Sequence, residues 1–280
     1  MTKSQYADLI NLHSSVNNVI IYNNEPLLAF RRNINKNKYN VVLDLHKNIR
    51  SYILTIFSKF IVTRYHKETF KKLILVIFKI NIFREIIPVF KKYLYSLKKL
   101  KSAAELNFSS SELKVDAKRI INDSYMVISP SSKHFTKTLP KEKFAYIIKK
   151  YFNKKIVLVG DDTDIDKEIC KFLSNISKNV LNYCGKTNYS ELANILYYAE
   201  LVLCNDSGVL HLAESLGKKV IVFFGSTVKE FGFYPQLKST LIFENINLKC
   251  RPCTHIGKSY CPKKHFRCMN ELNIDDIKLI

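Results

Sequence analysis

From residue 125 onward the chain alternates short runs of β-branched and aliphatic residues with segments of helical periodicity. The predicted strands are residues 126–128, 156–159, 201–203 and 220–224, and the predicted helices are residues 141–151, 164–173, 190–198 and 210–216. Continuously apolar strands separated by helices predict a parallel sheet that is covered on both faces. Because ligands of such sheets bind outside the carboxyl ends of the strands, functional residues are expected there.

Glycine divides the sequence into two differently built halves. The first glycine is Gly160, and all seven glycines lie between it and Gly257. The earlier half has apolar runs at 19–22 and 39–45, followed by Lys-rich stretches from 51 to 101 that we interpret as helical.

Residues 102–123 are polar and have no sustained periodicity, which is typical of an interdomain linker. A chain of 280 residues also favours two domains of ordinary size. The predicted division is a first domain over residues 1–110, a linker over residues 111–123 and a second domain over residues 124–280.

The chain is strongly basic, with 45 Lys and Arg against 24 Asp and Glu and a formal net charge of +21. Such a charge favours phosphate-rich partners. Lys, Asn and Ile are abundant everywhere, however, and no zinc-finger, basic-zipper or RNA-binding pattern is present. We therefore expect no nucleic-acid partner, and we favour attraction to anionic lipid or phosphorylated glycolipid.

The N-terminal residues and the cysteines indicate a cytoplasmic protein. Residues 1–18 are polar and do not resemble a signal peptide, and seven cysteines without an export signal point to a reducing compartment. The longest apolar run, residues 73–90, is interrupted by Lys79, Arg84 and Glu85, so a membrane-spanning helix is not expected. The run is predicted to be a helix packed in its own domain or an amphipathic helix on a membrane face.

The sequence after the strand at 201–203 carries the main functional signal. Asp206, Ser207 and Gly208 lead directly into a helix, and His211 follows on the same face. A helix start offers unpaired N–H groups and a partial positive charge, which suit a diphosphate. Taken alone, the segment is more typical of a capped helix start with His211 as an ordinary polar residue.

Other strand ends carry matching polar loops. Ser132 and Lys137 follow the first strand of this half, residues 160–164 follow the second, and residues 185–187 follow the segment at 180–183. Several hydroxyl-bearing loops at one edge of a parallel sheet, with Lys137 as a counter-charge, predict a nucleotide cleft.

These segments, in order, resemble the donor domain of glycosyltransferase family 9, the ADP-heptose:lipopolysaccharide heptosyltransferases. The matching stretches read SSKHFTKTLP, VLVG, SELA, NDSGVLHLAE and VFFGST, and the upstream stretches YNVVLDLHKNIRS and IPVFKKYLYSL are similar to the acceptor half. The resemblance implies a GT-B fold, two Rossmann-like domains with parallel sheets, of which the N-terminal one is incomplete here.

The resemblance also implies residue roles. Asp206, Ser207, Gly208 and His211 would bind the diphosphate and sugar, Ser132 and Lys137 would add phosphate contacts, and Asp164 and Thr187 would lie near the adenosine. Asp164 stands where the family has Glu, and Thr138-Leu139 stands where Arg-Trp is common, so the nucleobase is open. Such transferases generally need no metal for catalysis.

The family's opening strand and glycine-rich loop, with its catalytic Asp, have no counterpart in these residues. Asp44 and His46 are the nearest candidates for a base, and each is as easily structural. Either the reading frame begins upstream or the protein is shortened, and we expect little heptosyl transfer from these 280 residues.

Two functions follow from the resemblance. One is inverting transfer of heptose or a related sugar from a nucleotide diphosphate, ADP-heptose in the first instance, to the lipopolysaccharide inner core, with peripheral contact of the inner membrane. The other is a degenerate, non-catalytic homologue that binds sugar nucleotide. The sequence does not distinguish the sugar, the acceptor hydroxyl or the oligomeric state.

A cysteine cluster lies near the C-terminus. Cys250, Cys253, Cys261 and Cys268, with His255 and His265 among them, are ligand types suited to tetrahedral zinc. The first pair has ligand spacing, whereas the later pair does not. Structural zinc and plain reduced thiols are equally compatible with the sequence.

Overall fold

The computed structural model describes residues 1–36, 39–97 and 113–277. The strands in chain order are β1 (Val41–Asp44), β2 (Ile61–Arg64), β3 (Met126–Ser129), β4 (Ile156–Leu158), β5 (Val180–Asn182), β6 (Leu201–Asn205), β7 (Val220–Phe224) and β8 (Leu241–Glu244). The helices are α1 (Ala7–Asn11), α2 (Leu27–Lys36), α3 (Ile49–Thr55), α4 (Thr69–Phe78), α5 (Val89–Tyr95), α6 (Lys141–Lys150), α7 (Asp164–Ser174), α8 (Tyr189–Tyr198), α9 (Gly208–Ser215) and α10 (Arg267–Asn270).

The C-terminal half is a six-stranded parallel sheet in the order β5-β4-β3-β6-β7-β8. One face packs on α6, α7 and α10 through residues such as Phe144, Leu173 and Met269. The other packs on α8 and α9 through Leu196 and Leu210. Strands covered on both faces can be continuously apolar, so the predicted strands and helices of this half are confirmed.

The edge strand β8 was not predicted. Its first residues, Leu241 and Ile242, are 46% and 37% exposed. Residues 241–243 are apolar, as residues 201–203 are, but in the described residues no α-helix begins between β8 and Arg267 to continue the alternation of strands and helices on which the prediction depended.

The strand order contains a reversal beside β3. From β3 the chain builds outward through β4 and β5, then returns so that β6 pairs with the other side of β3, with Met126 opposite Leu201. At such a reversal the loops leaving the two central strands turn away from each other and open a crevice. The loops after Ser129 and Asn205 therefore border the place where a ligand of this sheet binds.

The N-terminal half has a two-stranded parallel sheet, in which Val41 pairs with Ile61, flanked by α2 to α5. The expectation of helix throughout residues 51–101 was wrong at β2, because β-branched residues there pair with β1. Residues 73–90 do not form one helix either, since α4 ends at Lys79 in a left-handed conformation (φ 61°). Within the described ranges, no helix is long and apolar enough to cross a membrane.

The first helix packs on the second half of the chain rather than beside α2. Leu12 belongs to the apolar cluster beneath α8, and the ring of Tyr6 lies 6.1 Å from that of Tyr189. The predicted boundary at residue 110 and the first residues of the predicted linker lie outside the described residues. The described part is tied to α8, since Asn194 accepts from the Ile120 N–H and donates to the Asp116 carbonyl. The domain boundaries stay a prediction.

The two halves contact each other through backbone and polar groups. The Val89 N–H donates to the Gly232 carbonyl at 3.0 Å, and the Lys79 ammonium donates to the Pro252 carbonyl at 2.6 Å. A Cβ at Gly232 would lie 2.7 Å from the Ile87 carbonyl oxygen. Glycine at position 232 therefore permits the close approach of these two segments of the chain.

Replacing Gly225 by Ala should destabilise the fold. An added Cβ would lie 2.4 Å from the Thr136 carbonyl oxygen and 2.8 Å from the Met269 methyl group, so the loop that carries Thr136 must shift. We expect a loss of about 1–3 kcal/mol in the free energy of unfolding, measured by urea titration. Gly208→Ala is the matched control, because its Cβ would meet nothing within 4 Å. Equal stability of the two variants would contradict the prediction.

Candidate functional site

The loop after β6 places a buried carboxylate at the crevice. Asp206 is 4% exposed, its Oδ2 accepts a 2.6 Å hydrogen bond from the Thr227 hydroxyl, and the Lys137 ammonium lies 2.8 Å from the same oxygen. A buried charge is tolerated when it is both paired and hydrogen-bonded. Asp206 therefore joins the loops that follow β3, β6 and β7.

Asn205 holds these loops in register. It is fully buried, its side-chain oxygen accepts from the Leu139 N–H at 2.9 Å, and its amide donates to the Pro130 carbonyl at 2.9 Å. The loop after β3 is thereby fixed to the end of β6. Sequence reasoning assigned no role to Asn205, although an amide residue ending an otherwise apolar strand is a signal for such a cross-link.

The start of α9 is open toward the crevice. The first N–H groups of a helix have no acceptor within the helix, and the Ser207 hydroxyl does not cap them. That hydroxyl is buried without a hydrogen-bond partner in the described residues, and a Cβ at Gly208 would meet nothing within 4 Å. This geometry favours an anion site over a helix start closed by its own side chain.

His211 lies one turn into α9, with its ring 6.2 Å from that of Phe233. The residue is exposed, although neighbouring protein atoms still remove part of the water around its imidazole. This desolvation lowers the pKa of His211; the Lys137 charge acts in the same direction, whereas Asp206 and Glu214 oppose it. The imidazole is therefore mostly neutral at neutral pH, when it can donate one hydrogen bond and accept another.

Two predicted phosphate-binding residues, Ser132 and Lys137, lie beside Asp206. Lys137 ends a short 3-10 helix that follows β3, and its ammonium is the ion-pair partner of Asp206. The Ser132 hydroxyl is 3.5 Å from the Asp206 carbonyl oxygen, at the limit of a hydrogen bond. The structure thus brings these residues together with the start of α9.

The two residues predicted near the adenosine lie on neighbouring strand ends. Asp164 is the exposed first residue of α7, and Thr187 is half-buried in the loop after β5. The Gly185 N–H donates to the Gly160 carbonyl at 3.0 Å, which ties the loops after β4 and β5 together. Both predicted residues lie along the same edge of the sheet as Asp206, and their role stays a prediction.

The candidate base Asp44 has its carboxylate engaged by its own loop. Its Oδ1 accepts from the His46 and Lys47 N–H groups at 3.0 and 2.8 Å, and its Oδ2 accepts from the Ser51 hydroxyl at 2.8 Å. Arg64 adds an ion pair at 3.3 Å. These contacts favour a structural role for Asp44. The His46 residue is exposed.

The C-terminal cysteines lie near one another without forming a coordination shell. The Cys250 sulfur is 3.8 Å from the His265 ring nitrogen, and burial raises the pKa of Cys268 to about 12. Across the described residues, no three His, Cys, Asp or Glu side chains are placed to hold one metal ion. Structural zinc at these cysteines stays a prediction.

A family model for glycosyltransferase family 9 (heptosyltransferase) matches residues 27–264. The chain belongs to this family. The match spans β1 to β8 and therefore includes both halves of the fold and all of the candidate site.

Named relatives agree with the family. Two lipooligosaccharide heptosyltransferase 2 proteins of Campylobacter jejuni are 27% identical over 138 residues and 25% identical over 205 residues. These matches cover 48% and 67% of this chain but 42% and 62% of the relatives. The chain thus matches less than two thirds of the length of these relatives.

Solved structures confirm the GT-B fold. Escherichia coli ADP-heptose lps heptosyltransferase II has a TM-score of 0.70 at 16% identity, over 96% of this chain and 87% of its own. The E. coli heptosyltransferase WaaC with ADP-2-deoxy-2-fluoro heptose has a TM-score of 0.62 at 18% identity. This match covers 86% of this chain and 81% of the WaaC chain. At these identities the likeness shows the fold alone.

Thr227→Val should loosen the site. The variant keeps the shape of the side chain but removes the hydrogen bond to Asp206, so a buried carboxylate oxygen loses a donor. We expect a loss of about 1–3 kcal/mol in the free energy of unfolding. Ser226→Ala is the matched control, because the Ser226 hydroxyl is buried without a partner in the described residues and its loss should be neutral or stabilising. A greater loss in the control than in Thr227→Val would refute this interpretation.

Proposed function

We propose that this protein binds a nucleotide diphosphate sugar, with ADP-heptose the first donor to test, and transfers the sugar to a lipopolysaccharide core acceptor. One observation carries the proposal. An uncapped helix start opens onto the crevice beside a buried Lys137–Asp206 pair, at the reversal of strand order. That combination of N–H donors, a cation and open space is suited to paired phosphates.

The residues of the site divide the work between them. The N–H groups at Gly208 and in the first turn of α9 bind phosphate oxygens. The Lys137 ammonium, which is paired with Asp206, also contacts these oxygens. Neutral His211 donates a hydrogen bond to the diphosphate or the sugar.

During transfer the acceptor hydroxyl oxygen bonds to the anomeric carbon, the bond from that carbon to the diphosphate oxygen breaks, and its electron pair stays on the phosphate. The proton of the hydroxyl passes to a base or to water.

The acceptor and the location belong to the same proposal. The named relatives act on lipooligosaccharide or lipopolysaccharide, and E. coli WaaC was solved with ADP and with an ADP-heptose analogue. A glycolipid acceptor places the enzyme at the cytoplasmic face of the inner membrane, where the net charge of +21 would attract anionic lipid. Inversion at the anomeric carbon without a metal is part of the proposal.

A second candidate is a sugar-nucleotide-binding homologue without transferase activity. It is favoured by one observation, that the Asp44 carboxylate is occupied by the Ser51 hydroxyl and by backbone N–H groups. These contacts hold both carboxylate oxygens in the loop of Asp44 itself, which favours a structural role over contact with a substrate hydroxyl. Both candidates require the same diphosphate site.

Calorimetric titration tests the shared site. We expect ADP, UDP or GDP to bind, and ADP-heptose to bind if heptose is the sugar. Gly208→Ala should keep the stability of the parent, since its Cβ meets no protein atom, but it should weaken binding at least about tenfold by crowding the phosphates. His211→Ala and Lys137→Ala should also weaken binding. If Gly208→Ala binds the diphosphate as tightly as the parent protein, the diphosphate does not bind at the start of α9.

The titration of His211 gives a readout that does not depend on turnover. In the free protein its NMR titration midpoint should lie below the ordinary value of 6.5, because desolvation disfavours the imidazolium. Saturating ADP should raise the midpoint, since two phosphates favour the charged ring. Adenosine, which has no phosphate, is the control and should leave the midpoint unchanged. If ADP does not raise the titration midpoint of His211, the phosphates do not bind next to this residue.

A further inference from the structure

Lys72 is a half-buried cation that has no ion-pair partner among the residues that the structure describes. Lys72 lies on α4. Burial lowers the pKa of its ammonium, and the positive charge of Lys92 lowers it further. The neighbouring carboxylate, Glu68, is bound by Lys71 at 2.9 Å and by Lys92. Within the described residues no carboxylate lies at ion-pair distance from Lys72. A desolvated ammonium in this state is stabilised by any anion that binds nearby.

The Lys72 side chain faces the other half of the protein. Its ammonium lies 5.6 Å from the ring centroid of Phe233 and 6.0 Å from that of Phe231. Both rings follow β7, and the ring of Phe233 lies 6.2 Å from that of His211. Phe233 is therefore a shared neighbour of Lys72 and of His211, which lies at the edge of the proposed diphosphate site.

The contacts of α4 keep Lys72 in this place. At the end of the helix the Lys79 ammonium donates to the Pro252 carbonyl, and beyond it the Asn81 amide donates to the Glu230 carboxylate at 3.1 Å. The Val89 N–H bonds to Gly232, next to Phe233. The helix is thus anchored to the half that holds the diphosphate site.

The proposed diphosphate site has little net positive charge of its own. The Lys137 charge is balanced by Asp206, and the lowered pKa leaves His211 mostly neutral at neutral pH. The start of a helix supplies about half an elementary charge. A diphosphate is more negative than that, and it gains charge when the bond to the sugar breaks. A further cation on the open side of the site would therefore stabilise the bound diphosphate.

We propose that Lys72 supplies this cation by contacting the diphosphate of a bound sugar nucleotide from across the cleft. The inference rests on the proposed function and adds a phosphate-binding residue from the N-terminal half. During transfer the electron pair of the broken bond stays on the phosphate oxygen, and the Lys72 ammonium stabilises it there. The donor sugar nucleotide would then be bound by both halves at once.

The test compares Lys72→Met with Lys149→Met by calorimetric titration of ADP, UDP and GDP, each beside its own nucleoside. Lys149 is an exposed residue in the last turn of α6, at the amino edge of the sheet, so its loss removes the same charge away from the site. We expect Lys72→Met to bind the diphosphate about tenfold more weakly, with nucleoside affinity unchanged. Lys149→Met should match the parent, and Lys72→Arg should restore most of the affinity.

The outcomes separate this inference from the proposed function. Diphosphate affinity that falls in Gly208→Ala but not in Lys72→Met would overturn the role of Lys72 and leave the site intact. Equal weakening of nucleoside and diphosphate by Lys72→Met would show a structural effect and would also overturn it. A parent protein that binds none of the three diphosphates would overturn both.

Discussion

The pairing of β3 with β6 is the constraint on which the functional half depends. The strands are far apart in the chain, yet Met126 pairs with Leu201 and Ser129 with Cys204. Their loops consequently leave the same edge side by side. Buried Asn205 then fixes one loop to the other through Leu139 and Pro130. Without this cross-link, the hydroxyls and the lysine of the loop after β3 would have no defined position relative to α9.

Charge balance explains why the site is built around a buried carboxylate. The negative charge of Asp206 does not attract an anion, and it offsets the positive charge of Lys137. Its benefit is positional, since a lysine held by a buried carboxylate loses little additional side-chain freedom when a ligand arrives. The Thr227 hydroxyl and the Phe223 carbonyl hold Asp206 in turn, so the position of Lys137 is set by β7 as well as by β6.

The sequence predicted most of the C-terminal half because its signals there are local. Apolar runs bounded by loops identify strands that are covered on both faces, and a Ser-Gly pair before an apolar periodicity identifies α9. The edge strand β8 was missed because no described α-helix follows it before Arg267, so it lies outside the alternation of strands and helices. The Asp206–Thr227 bond was missed because it joins residues that are 21 positions apart, and no local pattern encodes such a pairing.

The N-terminal half was harder to predict because its helices and strands are short and its burial is slight. β2 lies between the helices α3 and α4, and its pairing with β1 overrides the helical pattern of the surrounding sequence. The position of Lys72 could not be predicted either, since its neighbours Phe231 and Phe233 are about 160 residues away in the chain. The proposed role of Lys72 makes donor binding depend on the arrangement of the two halves. Both the family motif and the contacts of α4 are then required to account for it.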